Sequence, residues 1–94
     1  SMLELSDRLI NLASSENVNI SNVVVQGDPD RLEVEMIITK LGWSKKRNKM
    51  LNIANSVADV LSDVLIKNRA PQRELIVTVR HGYNAVKIVR RLKS

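Results

Sequence analysis

Between Ser44 and Pro71 the apolar residues Met50, Ile53, Ala54, Val57, Leu61, Val64 and Leu65 recur on one stripe of a 3.6-residue period. That spacing predicts one long helix, with Ser44 as its N-cap and its end near Asn68, because a proline cannot continue the ladder. A helix with one apolar stripe has to bury it against another layer. The segments on either side supply that layer.

Before the helix, Asn17 to Gln26 holds Val18, Ile20 and the run Val23-Val24-Val25, and closes on Gly27-Asp28-Pro29-Asp30. This reads as a strand followed by a turn. Residues 31–41 alternate, with Leu32, Val34, Met36 and Ile38 one way and Glu33, Glu35 and Thr39 the other, apart from Ile37, which predicts a half-buried strand in a hairpin with the first. After the helix, Glu74 to Arg80 sets Leu75, Val77 and Val79 against Ile76, Thr78 and Arg80, a third strand. The last segment fits two templates. Ala85, Ile88, Val89 and Leu92 suit a helix, whereas Val86, Ile88 and Leu92 suit a strand interrupted by Arg90; the reading leans to a short helix capped by Asn84. At the other end, Leu3, Leu5, Leu9, Ile10, Leu12 and Ala13 form a first helical stripe ending near Ser14-Ser15.

The expected architecture is α+β, a single small domain in the order helix, strand, strand, helix, strand and a final short helix or strand. Its helices pack on one face of a sheet of three strands, or four. At 94 residues the chain has room for one compact domain, and 44% apolar with 27% charged residues suits a packed core rather than disorder. Phe is absent and Trp43 and Tyr83 are the only aromatics, so that core is expected to be almost wholly Val, Ile and Leu. No window approaches the roughly 18 consecutive apolar residues of a membrane span, and the start lacks a signal-peptide pattern. Ser1 before Met2 reads as the remnant of a cleaved tag, which predicts a domain excised from a larger parent, a membrane-associated one among the options.

Composition removes most catalytic chemistry. Without cysteine there is no disulfide framework, thiolate metal site or thiol nucleophile. The one histidine, His81, has no metal-ligand spacing to a carboxylate and reads as a polar residue at a strand end. Gly27, Gly42 and Gly82 stand singly near turns and assemble neither a dinucleotide fingerprint nor a phosphate loop. Asp28 and Asp30 flank Pro29, where aspartate bonds turn amides, and Glu33 and Glu35 share one strand face toward solvent. No enzyme, cofactor, metal or small-molecule substrate is expected.

The charges are unevenly placed. Up to Lys40 the chain carries three cations and seven acids; beyond it, twelve cations and three acids, so a net +5 conceals halves of −4 and +9. Lys45, Lys46, Arg47 and Lys49 crowd the start of the long helix, where the macrodipole favours acids and each cation costs roughly 0.3–1 kcal/mol at low salt. Such a helix start can receive an anion. Trp43 directly precedes the run and reads as a core residue closing the sheet end, with a stacking or contact role as the functional option. A second basic cluster, Lys87, Arg90, Arg91 and Lys93, would lie on the outer face and C-terminal end of a final helix.

These features predict a non-catalytic interaction or assembly module. Its acidic surface (Asp28, Asp30, Glu33, Glu35) would dock on the basic surface (Trp43, Lys45, Lys46, Arg47, Lys49) of a protein partner or another copy. The alternative is a nucleic-acid-binding domain with those cations on phosphates, in line with a pI near 10.0 but opposed by the scarcity of aromatics and by the early acids. Attraction to an anionic membrane surface by the same residues is a weaker third option.

Overall fold

The computed structural model describes residues 2–41 and 46–92, which form α1 (Met2–Ser15), β1 (Asn19–Gly27), β2 (Arg31–Thr39), α2 (Lys46–Lys67), β3 (Glu74–His81) and β4 (Asn84–Arg91). Gly42, Trp43, the expected cap Ser44, Lys45 and Lys93 lie outside the described residues. The four strands make one sheet in the order β1-β2-β3-β4. β1 and β2 form the expected antiparallel hairpin, β2 and β3 run parallel with α2 as the crossover, and β3 and β4 are antiparallel.

Both helices end in the same way. After α1, Asn17 takes a left-handed φ of 58°, the Val18 amide donates to the Ala13 carbonyl at 3.0 Å, and the Asn17 amide donates to Ser14. After α2, Arg69 at φ 53° does the same, with Ala70 donating to Leu65 at 2.9 Å and Arg69 to Ile66. These are Schellman closures, and Pro71 stands just beyond the second. Proline thus bars continuation while the turn itself closes the helix at Lys67.

The register puts the apolar alternation of each strand on one side. Leu32, Val34 and Met36 of β2 pair with Leu75, Val77 and Val79 of β3, Ile38 extends the buried row of β2, and Val86 of β4 lies beside Val79. Met50, Ile53, Ala54, Val57, Ala58 and Leu61 of α2 close over them. Methionine and alanine therefore join the aliphatic residues: Met36 and Met50 are among the largest fully buried side chains, and Ala54 and Ala58 let the helix approach the sheet closely. α2 packs on β3 and β4, while α1 packs on α2 and touches β1. The helix layer stops short of the outer strand, and β1 is exposed from Ser21 to Gly27.

The final segment is a strand, not the short helix the sequence favoured. Val86 and Ile88 face α2, and their β-branched side chains suit the pleated surface. His81 pairs with Asn84 across a two-residue turn in which Gly82 takes φ +60°. Arg90, the residue that broke the strand template, lies on the helix side at the sheet margin. There its guanidinium bonds Asp59 Oδ1 of α2 at 2.7 Å and Asn55 Oδ1 at 3.1 Å. Long side chains can carry a charge past an apolar layer in this way, so an arginine does not exclude a strand. The sheet has four strands, with both helices on one side and the other side bare.

Candidate functional site

Alternation places every second residue of the four strands on the bare face. The aligned rows are Gln26–Glu33–Ile76–Val89, Val24–Glu35–Thr78–Lys87 and Asn22–Ile37–Arg80–Ala85, with Arg31–Glu74–Arg91 at the margin. Two cross-strand ion pairs lie on this face, Arg31 Nε to Glu74 at 3.1 Å at the margin and Arg80 Nε to Glu35 at 3.4 Å further along it. Both are half exposed and individually weak. Glu33 on β2 and Lys87 and Arg91 on β4 make no ion pair with any described residue, and Ile76 and Val89 lie between them. A shallow groove lined by Val24, Gln26, Glu33, Ile76, Thr78 and Lys87 runs across this surface.

Two of the four anticipated acids and two of the anticipated second-cluster cations thus meet on one face. The expected outer helical face holding Lys87, Arg90 and Arg91 does not exist. In a strand, Lys87 and Arg91 point to the bare side and Arg90 to α2. Glu35 is not simply solvated, since it is half-buried against Arg80.

The first basic cluster sits elsewhere. α2 begins where β2 ends, at the end of the sheet where β3 turns into β4. Lys46 and Arg47 there share a small cleft with Met50, Asn84, Ala85 and Val86. Arg47 is exposed and Lys46 and Lys49 are half-buried, with no acid in the first turn of the helix. Tyr83, next to Asn84 at the hairpin tip, is fully exposed, and it is the one aromatic side chain among the described residues. The unpaired tip residue can be found in sequence once His81-Gly82-Tyr83-Asn84 is read as a hairpin turn.

Asp28 and Asp30 lie at the opposite end, in the β1–β2 turn. Asp28 Oδ1 accepts the amides of Asp30 and Arg31, both at 2.8 Å, as an aspartate in a turn should. The turn is stitched to a basic segment: the Arg73 amide donates to the Asp30 carbonyl at 2.8 Å, and Gln72 Nε2 to the Asp28 carbonyl at 3.2 Å. The charge partition along the chain is therefore only partly a partition in space.

The two amide bonds hold the Asp28 carboxyl below its ordinary value of 3.8, with the Arg31 charge adding to the effect. A carboxylate depressed in the fold contributes stability above its unfolded value, and that contribution is lost as pH falls through the folded one. Asp28→Asn keeps an acceptor oxygen but cannot ionise. Its stability is expected to fall less steeply than the wild type's below about pH 4, as measured by urea unfolding at stepped pH; equal slopes would remove this role.

His81 ends β3 half-buried, and its Nδ1 has no hydrogen-bond partner among the described residues. Among the described residues no group of three or more His, Cys, Asp or Glu is placed to hold a metal, and no helix is long and apolar enough to cross a membrane. Comparison of the chain with protein-family models, curated proteins and solved structures finds no match.

Proposed function

We propose that the chain is a non-catalytic assembly module whose bare sheet face docks on the same face of another copy. The observation that carries this reading is the arrangement of unpaired charge on that face, Glu33 on one side and Lys87 and Arg91 on the other. Turning a second copy over about an axis parallel to the strands and centred on β3 lays β2 over the partner copy's β4. Glu33 then falls, in projection, between Lys87 and Arg91 of the opposing β4. Stacked sheets lie about 10 Å apart, within reach of two long side chains. Charge complementarity of this kind sets orientation and steers encounter.

Light scattering across a salt series tests the reading. Exposed charges interact over about 30 Å at 0.01 M salt and about 3 Å at 1 M. The average mass is therefore expected to be higher at low salt than at high. A mass independent of salt overturns the face contact.

A second reading, nucleic-acid binding, draws on Tyr83, whose exposed ring is free to stack and whose neighbour Asn84 shares a cleft with the cations Lys46 and Arg47. Fluorescence anisotropy with single- and double-stranded oligonucleotides separates the two, since salt-dependent binding abolished by Tyr83→Ala with Arg47→Ala belongs only to this reading.

A further inference from the structure

Among the described residues, β1 has no strand along its outer edge. The two edges of the sheet differ sharply. β4 carries Lys87, Arg90 and Arg91, the kind of charged edge that deters pairing with another strand. β1, NISNVVVQG, carries no charge over nine residues, and Val23, Val24 and Val25 are 37%, 41% and 59% exposed. A bulge between Ile20 and Asn22 disturbs only its beginning, leaving Asn22 to Gly27 as a regular edge.

The direction of that edge can be read from one bond. The Val23 amide donates to its neighbour Asn22 Oδ1 at 2.9 Å, so it points away from β2. Antiparallel ladders alternate, so the Val25 amide also faces outward, while Asn22, Val24 and Gln26 are turned to β2.

We propose that two copies of the chain join along β1, antiparallel, about a two-fold axis at Val24, into one continuous eight-stranded sheet. In this register Val23 of each copy faces Val25 of the other, and once the Val23 amide exchanges Asn22 Oδ1 for the partner copy's carbonyl, the outward amides and carbonyls of these residues make four hydrogen bonds. Val24 meets Val24, and Asn22 meets Gln26. The strand is thus its own complement, as an isologous contact requires. On the helix side, Val23 and Val25 shield each other where the helix layer stops short. A net charge of +5 opposes association generally, and this seam lets two copies meet where neither carries charge; β4 against β4 would set cations opposite cations. The seam is separate from the face contact, and it doubles the width of the bare face.

Single cysteines test the register in a chain that has none. Val24 faces its own copy in a non-hydrogen-bonded pair, where Cα atoms are about 4.5 Å apart and within disulfide range. Two Val23 positions sit two residues out of register, more than about 7 Å apart, beyond that range. Val24→Cys is expected to form a disulfide-linked dimer under mild oxidation at least about tenfold faster than Val23→Cys, since only the former satisfies disulfide geometry. Without any cysteine, light scattering at about 1 M salt, where the face contact is screened, should give a dimer for the wild type and a monomer for Val25→Pro. Proline is tolerated on an edge whose amide faces outward, so circular dichroism of that variant should stay native. Equal cross-linking of the two cysteine variants, or a wild-type monomer in high salt at hundreds of micromolar, overturns the seam. A mass that still rises as salt is lowered would leave the face contact standing, and a salt-independent dimer would leave only the seam.

Discussion

Leu75→Ala is expected to lower the unfolding free energy by about 2–5 kcal/mol, the range for removing a large aliphatic side chain from a closed core. Leu75 has no solvent exposure and lies on β3, between Leu32 of β2 and Arg90 of β4 and beneath α2. Parallel pairing on one side and antiparallel pairing on the other hold the backbone, so the cavity cannot collapse by moving the strand. Domains of this size carry about 5–15 kcal/mol in total. The midpoint of thermal unfolding should fall on the order of 10–30 °C. Ile66→Ala is the matched control. Ile66 is as apolar but 60% exposed near the end of α2, and its truncation should stay within about 0.5 kcal/mol. Urea denaturation of the three proteins measures both; similar losses for Leu75 and Ile66 would mean that the core does not lie between α2 and the sheet.

Wherever one period acted alone, the sequence was sufficient. The stripe from Met50 to Leu61 and the alternations in residues 31–39 and 74–80 each specify a buried face by local spacing, and the structure buries those faces. The last strand was obscured because Arg90 occupies an inward position, and what makes that tolerable is Asp59, 31 residues earlier on α2. A partner so distant leaves no local mark. The same holds for the candidate face. Glu33 and Glu35 were legible as an outward pair, but their relation to Lys87 and Arg91 depends on β4 being a strand and on its register with β3. Pairing between Arg80 and Glu35 likewise spans a parallel crossover. The Asp28 turn needed no such information, since its bonds reach only two and three residues along the chain.

Reversing the unpaired charges of the bare face should break the face contact and then restore it in combination. Glu33, Lys87 and Arg91 are suited to this because none joins an ion pair with a described residue, so Glu33→Lys and the double variant Lys87→Glu with Arg91→Glu should keep the wild-type melting temperature within a few degrees. In Glu33→Lys the opposing pair Lys87 and Arg91 meets a cation instead of an acid. In the double variant Glu33 meets two carboxylates. Exposed pairs contribute about 0.2–1 kcal/mol each, and reversal replaces attraction with repulsion, so a loss on the order of tenfold in low-salt association is expected for either variant alone. Mixed together, the two variants set the cation introduced by Glu33→Lys in one chain against the carboxylates introduced by Lys87→Glu and Arg91→Glu in the other, and hetero-association should recover much of the loss. A general rise or fall in stickiness with net charge predicts something different: Glu33→Lys, more positive, and the double variant, nearly neutral, would then shift in opposite directions, and their mixture would fall between them. Sedimentation velocity at low salt separates the two patterns, and a mixture no more associated than the average of its parts would refute docking through this face.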